Sequence, residues 1–276
     1  MKNVGTLLIR HSEGMSPTEN SLQASVYDYP AYYDVLFNAS WKREYEFLLH
    51  ALGTYASVPV KRVFEPACGT GRLLWRLARA GYQVRGLDLN RKSIAFCNRR
   101  MKRYGFAEAA FYGDIAVDLK LNHPIDAAFN LVSSFCHLTS EAQAESHLHL
   151  MADALRPGGL YLLGFHLRPK GIAECGSESW QCRRGALSLS SHLKAVHWSE
   201  KERIETIEFR ITAQTPNKTV HLLDRFPLRT YTLAQFRQLL RKVGRFEVVQ
   251  TYNFAFEPTK LNSSIEDVIF ILKKSF

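Results

Sequence analysis

The sequence predicts an α/β fold in which a mostly parallel sheet carries helices on both faces. Three observations predict it. From Lys61 onward, apolar runs of strand length alternate with longer segments whose apolar residues recur at helical spacing. The stretch Val63-Phe-Glu-Pro-Ala-Cys-Gly-Thr-Gly-Arg72 reads as strand, glycine turn and helix, with Leu73, Leu74, Leu77 and Ala78 on one helical side until Gly81. A second strand, Tyr82 to Asp88, then ends in an acid. The glycines matter because a turn without side chains brings backbone N–H groups at a helix N-terminus close to a ligand. An acid ending the next strand can accept hydrogen bonds from two ribose hydroxyls.

In chain order, residues 1–25 carry Ser, Asn, Glu and Pro without periodicity and are expected to form a mobile arm. Four tyrosines crowd Tyr27-Asp-Tyr-Pro-Ala-Tyr-Tyr-Asp34, ahead of a helix expected from Ser40 to about Leu52 with Ser40 as its cap. After the second strand comes a basic helix with Ile94, Ala95, Cys97 and Met101 on its apolar side, stopped at Gly105. Ala109–Tyr112 is the third strand, closed by Gly113-Asp114, and Asp126–Val132 is the fourth. Ala144, Leu148, Met151 and Leu155 place a helix over 140–155, capped by Ser140 and stopped by Pro157-Gly-Gly159. The fifth strand, Leu160–Phe165, leaves His166 at its carboxyl end. The alternation breaks over 171–230, where Leu187–Trp198, Arg203–Thr212 and Thr219–Arg229 read as antiparallel strands with a turn at Pro216-Asn217. Thr232 and Gln235 form a capping box for a helix over Leu233–Val243, which Gly244 stops. Phe246–Tyr252 and Asp267–Leu272 finish the sheet as an antiparallel pair.

Composition narrows the function classes. No segment of the roughly twenty residues needed to span a bilayer is continuously apolar. The short run Thr6–Ile9 meets Arg10, His11 and Glu13 at once, so a signal peptide is not expected. The five cysteines, Cys68, Cys97, Cys136, Cys175 and Cys182, are odd in number and contain no Cys-x-x-Cys pair, which suits a reducing cytoplasm and no structural metal. The net charge is +10, and Arg91, Lys92, Arg99, Arg100, Lys102 and Arg103 cluster in or beside one helix. Their expected arrangement is an outward solvated face rather than a phosphate-tracking groove, since no aromatic residues interleave with them. Such a surface can steer an anionic substrate.

Glu65 lies four residues before Gly69, and Leu74 stands where a dinucleotide fingerprint wants its third glycine. On these residues, with Asp88, Gly113-Asp114-Ile115, Ile125-Asp126 and Leu155-Arg-Pro-Gly-Gly159, the chain resembles the class I S-adenosylmethionine-dependent methyltransferases over roughly residues 60–166. The resemblance implies a Rossmann-like sheet of seven strands with the antiparallel insertion as a cap. It implies an N-terminal arm and helices over the cofactor site (1–58), a cofactor-binding core (59–170), a substrate cap (171–230) and a C-terminal helix and strands completing the sheet (231–276). It also implies S-adenosylmethionine as cofactor. Glu65 and the Gly69 and Gly71 backbone would hold its methionine end, with Arg72 a candidate for the carboxylate. Asp88 would hold the ribose and Asp114 the adenine amino group, with Ile115 beside the ring; Ala67, Leu89, Asn130 and Leu131 complete the expected set. Two of them have plainer alternatives: a turn aspartate for Asp114, a solvated helix residue for Arg72.

Ligands of open parallel sheets sit beyond the strands' carboxyl ends, so the loop Ser133-Ser-Phe-Cys-His-Leu138 should face the transferred methyl, with Ser134 a lining candidate. It lacks the Asn/Asp-Pro-Pro-aromatic sequence of base-methylating enzymes and the Pro-Cys pair of a cysteine nucleophile, and Cys136 reads as an apolar filler. A sulfonium methyl is already electrophilic, so transfer mainly needs a nucleophile held in line and stripped of water. Tyr33, His137 and His166 are the candidates for proton handling, against packing of the first helix for the tyrosine and a backbone-bonded edge residue for His166. The expected acceptor is a small molecule methylated on nitrogen or oxygen. An RNA- or protein-modifying methyltransferase and a cofactor-binding protein without transfer activity are the alternatives. No membrane partner is expected, and the oligomeric state is left open.

Overall fold

The computed structural model describes residues 22–117, 119, 121–169, 171 and 176–275. Its strands are β1 (Leu22–Gln23), β2 (Arg62–Pro66), β3 (Gln83–Asp88), β4 (Ala110–Tyr112), β5 (Ile125–Asn130), β6 (Leu155–His166), β7 (Ser177–Arg184), β8 (Leu187–Ser199), β9 (Ile204–Thr215), β10 (Lys218–Arg229), β11 (Phe246–Tyr252) and β12 (Asp267–Lys274). Its helices are α1 (Pro30–Leu36), α2 (Trp41–Tyr55), α3 (Leu74–Arg79), α4 (Arg91–Arg103), α5 (Glu141–Ala154) and α6 (Leu233–Val243), with short 3-10 turns at Val26–Asp28 and Ser134–His137.

The main sheet has seven strands in the order β11-β12-β6-β5-β2-β3-β4. Strands β4, β3, β2, β5 and β6 run parallel, and β12 inserts antiparallel between β6 and β11. Order reverses between β2 and β5, so a crevice opens at their carboxyl ends. Alternation along each strand sorts the core into two layers. Val63, Ala127, Phe129, Leu160, Leu162, Ile269 and Ile271 pack with α2, α3 and α4. Phe64, Ala128, Tyr161, Leu163, Val268, Phe270 and Leu272 pack with α5 and α6 on the opposite face.

The strands expected to form a cap make a separate five-stranded sheet ordered β1-β10-β9-β8-β7, with β1 added from the N-terminal segment. Its β9–β10 hairpin pairs Thr215 with Lys218 around the Pro216-Asn217 turn. Val35 and Leu36 of α1 pack with Leu189, Phe209, Ile211 and Leu222 of this sheet in a third core. The N-terminal segment thus docks on the second sheet as well as on the glycine turn.

Several expectations change. The expected mobile arm falls mostly outside the described residues, but Leu22 and Gln23 are not free: they pair in parallel with Leu222 and Leu223 of β10. The tyrosine cluster contains α1, started by Pro30 at its first position. Ser40 holds the N-cap position of α2, yet its hydroxyl donates to Glu44 Oε1 (2.9 Å) instead of accepting from the backbone. Pro157-Gly-Gly159 lies within β6, which begins already at Leu155. The basic helix is not simply a solvated face. Arg100 is turned inward onto Asp34 (2.7 Å), Lys92 meets Asp28 (3.1 Å), and the Arg91 guanidinium lies 3.8 Å from the Tyr112 ring centre. Capping boxes at Ser140/Gln143 and Thr232/Gln235, and Gly244 in the left-handed region (φ 63°), bound α5 and α6. Among the described residues no helix is long and apolar enough to cross a membrane.

Candidate functional site

The glycine turn is built by contacts that only small residues permit. Gly71 has φ 63°, and a Cβ there would stand 2.3 Å from the Cys97 sulfur. Gly86 of β3 would likewise meet Cys68 and Leu74 within 2.8 Å. These glycines let α3, α4 and β3 close around the loop. Ala67 adopts φ 55° and Gly69 φ 51°, which turns the chain sharply at the end of β2. The Gly69 N–H donates to Asp88 Oδ2 (2.7 Å) and the Asn90 N–H to Asp88 Oδ1 (2.7 Å). Burial raises the Asp88 carboxyl above its usual range, against the lowering effect of those two N–H donors. Each oxygen retains acceptor capacity for a further donor.

Beside the turn lies a cleft enclosing about 400 Å³ of space between atoms, part of it open to solvent. Tyr33, Glu65, Ala67, Gly69, Arg72, Asn130, Leu131 and Ser134 all line it. Three buried polar atoms within this set have no partner: Glu65 Oε2, Arg72 Nη1 and Asn130 Oδ1. Two of these side chains are anchored through their other atoms. Arg72 is ion-paired to Glu44 of α2, and Asn130 Nδ2 donates to the Pro66 carbonyl (2.9 Å). Burial pushes the Glu65 carboxyl well up, with Arg72 only partly offsetting it, while the carboxylates of Glu44 and Glu65 outweigh burial at Arg72 and raise it. Unpartnered buried donors and acceptors are costly and rare. Two acceptors and one guanidinium N–H without partners, on residues that line one cleft, match an ammonium and a carboxylate on the same ligand.

Further along the sheet end, the Gly113 N–H bonds the Asp88 carbonyl (3.1 Å), which sets Asp114 and Ile115 beside Asp88. Asp114 Oδ1 accepts from the Ala116 N–H (2.8 Å), as the turn reading anticipates. His147 of α5, which sequence reasoning missed, braces this loop: Nδ1 lies 2.9 Å from the Ile115 carbonyl and Nε2 2.8 Å from the Tyr161 hydroxyl. A carbonyl can only accept, so Nδ1 carries the proton and Nε2 accepts from Tyr161. Burial holds His147 neutral, at a pKa of about 4. Leu89 is 57% exposed, an apolar surface next to Asp88. Of the expected cofactor residues, Gly71, Asp88, Leu89, Asp114 and Ile115 do not line this cleft, and the Cβ position of Gly71 faces Cys97.

The proton-handling candidates fall in two places. Tyr33 covers the turn, its Cε1 lying 3.8 Å from the Cβ position of Gly69, and burial raises its phenol to about 12. Tyr27, not singled out from the sequence, stands 5.6 Å from Tyr33 ring to ring, and its hydroxyl is 2.9 Å from His137 Nε2. Burial by the surrounding protein lowers the His137 pKa, Asp224 opposing, although the residue keeps an exposed surface. Phe226 of β10 closes the group, 5.3 Å from His137. His166 is elsewhere: it bonds not backbone but Asp267 across the β6–β12 ladder, Nδ1 to Oδ1 at 2.6 Å. Burial tends to lower its pKa, but Asp267, Glu178 and Glu205 outweigh this and raise it. Cys136 is buried, and burial pushes its thiol up, so it is no nucleophile.

The methyltransferase-domain family matches residues 63–159. A protein of Geobacillus sp. (strain WCH70) that carries the name of a methyltransferase is 34% identical over 70 residues, 25% of this chain and 28% of that protein. The similarly named YqeM of Bacillus subtilis (strain 168) is 40% identical over 47 residues, 17% and 19% of the two chains. The matches thus span less than a third of these curated relatives. Among solved structures, an S-adenosylmethionine-dependent methyltransferase from Clostridium acetobutylicum aligns with a TM-score of 0.73 at 13% identity, covering 90% of this chain and 98% of that one. An S-adenosylmethionine-bound amino pentose methyltransferase from Micromonospora echinaspora aligns at 0.68 and 18%, covering 92% and 99%. A sugar N-methyltransferase from Streptoalloteichus sp. aligns at 0.66 and 16%, covering 95% and 98%. At such identities these likenesses speak for the fold. Residues 63–159 match the methyltransferase-domain family, and the chain has the fold of S-adenosylmethionine-dependent methyltransferases. S-adenosylmethionine is the cofactor of that class.

Proposed function

We propose that the chain methylates an amine nitrogen of a small-molecule acceptor of amino-sugar type, using S-adenosylmethionine, by direct in-line displacement. The three unpartnered atoms in the cleft support the cofactor half. Glu65 Oε2 and Asn130 Oδ1 would accept from the ammonium of its methionine end, and Arg72 Nη1 would meet the carboxylate. An ammonium beside Glu65 would draw that carboxyl back to its ionised form. Asp88 would take the ribose hydroxyls, with Leu89, Asp114 and Ile115 along the adenine. The bound cofactor supplies an electrophilic methyl group.

The acceptor half rests on charge and proton handling. Glu178 of β7, Glu205 of β9 and Asp267 of β12 lie around His166 at the end of β6, with Asp267 paired to His166 and Glu205 to Arg168. The 2.9 Å contact of Tyr27 with His137 carries the amine, in preference to the anionic acceptor suggested by the net charge, and the amino pentose and sugar nitrogen specificities named for the structural neighbours support it. An ammonium must lose a proton before its nitrogen can attack. The Tyr27 hydroxyl can take that proton while passing its own to neutral His137 across their 2.9 Å contact. Tyr33, packed on Gly69, keeps water from the methionine end.

The test is a mass-spectrometric transfer assay with a panel of amino sugars, their hydroxyl counterparts and total RNA. Transfer to the amines alone is expected. Transfer confined to the hydroxyl compounds or to RNA contradicts the proposal.

A further inference from the structure

Asp34 takes no part in the chemistry above, yet it is fully buried and joins three parts of the molecule. Its Oδ1 accepts from Thr70 Oγ1 (3.0 Å), inside the glycine turn. Its Oδ2 lies 2.7 Å from Arg100 of α4 and 2.7 Å from Arg184, the last residue of β7. Arg184 also reaches the Asp34 carbonyl (3.3 Å), and Arg100 Nη1 donates to the Thr70 carbonyl (3.1 Å). One carboxylate therefore ties the cofactor turn, the basic helix and the tip of a cap hairpin.

The two guanidiniums differ in burial. The Arg100 side chain is 15% exposed, whereas that of Arg184 is 48% exposed. A buried ion is costly to strand, while a half-exposed one can return to water at small cost. The Arg100–Asp34–Thr70 arrangement is thus the fixed part, and the Arg184 contact is the part that can release. Position adds the rest. Tyr33, next in sequence to Asp34, lies over Gly69, so a ligand along the turn meets the segment that carries Asp34.

We propose that the Arg184–Asp34 pair is a latch that couples closure of the cap to occupation of the cofactor cleft, with Asp34 as the positioning residue. A ligand that settles the turn settles Thr70 and α1, which presents Asp34 to Arg184 and holds the β7–β8 hairpin down. The coupling rests on reading the cleft as the S-adenosylmethionine site. It is reciprocal, as linkage between two sites requires.

Hydrogen exchange of the full chain with saturating S-adenosylhomocysteine tests it. In the wild type the ligand should slow exchange in β7 and β8 by about fivefold or more, the lower end of usual coupling, although neither strand lines the cleft. In Arg184→Gln the ligand should still bind but leave the hairpin unchanged, and Arg184→Lys should restore part of the effect. Binding to the wild type with no change in the hairpin, or full protection retained in Arg184→Gln, overturns the latch alone. Absence of any binding to the wild type overturns the cofactor assignment and the latch with it.

Discussion

Substituting Gly71 by alanine probes the turn on which the site is built. Gly71 has φ 63°, a conformation that costs a non-glycine residue about 1 kcal/mol. The added Cβ would also stand 2.3 Å from Cys97 Sγ, in a wall formed by Cys97 and Leu74. Overpacking of this kind costs roughly 1–3 kcal/mol. Together the two effects come to about 3 kcal/mol, or roughly 6–10 °C in Tm for a chain of this size. Gly81 is the control, because it has φ 92° with nothing within 4 Å of its Cβ position. Its alanine variant should lose only the conformational part, about 1 kcal/mol. Shortening the opposing residue separates the causes: Cys97→Ala with Gly71→Ala should be more stable than the sum of the single losses predicts, by about 1–2 kcal/mol. Calorimetric melting of the four variants decides. Equal losses at Gly71 and Gly81, or no recovery with Cys97→Ala, would refute the steric account.

Tyr27→Phe and His137→Gln should each lower kcat by about 10² or more, the usual share of positioned acid–base catalysis, in the transfer assay with an amine acceptor. His137 must be neutral to take a proton and its pKa is lowered, so wild-type kcat should hold down to the usual histidine range and fall only below it; His137→Gln should lack that acid limb. Glu44→Gln strands the Arg72 guanidinium, which is 8% exposed, and should destabilise the fold by about 3 kcal/mol in denaturant titration, as loss of one buried ion-pair partner does. Asp34 gives a pH signature. Burial pushes its carboxyl up, but Arg100 and Arg184 outweigh this and hold it below the usual value of 3.8, so its stabilisation is complete above that value and is lost as pH falls below it. Asp34→Asn should be less stable at neutral pH and show a shallower loss of stability in acid.

Much of the core was legible because its signals are local. Helix α6 was expected over the residues it occupies, since Thr232, Gln235 and Gly244 act within one turn of its ends. The glycine turn, the acid ending β3 and the paired last strands were readable for the same reason. What escaped the sequence depends on distant partners. Tyr27 meets His137 across 110 positions, and Arg184 reaches Asp34 across 150. His166 looked like an edge residue until register set Asp267 opposite it. Strand β7 escaped because its residues are mostly polar and only half-buried, without a clean apolar face. Arg100 read as one more surface cation until burial of Asp34 beside it gave it a partner. Ser40 shows the opposite failure: its residue type and position suit a cap, but Glu44 competes for its hydroxyl. Pro30 did signal a helix start, and the tyrosines around it drew the reading toward a cofactor cover instead.

Calorimetric titration with S-adenosylhomocysteine, on the wild type and on Asp88→Ala, tests the central claim most directly. One molecule should bind per chain, and removing the Asp88 carboxylate should weaken binding by about tenfold or more, the worth of one lost charged hydrogen bond. No heat with the wild type, or the same affinity in both proteins, would contradict the assignment of this turn and this carboxylate to the cofactor.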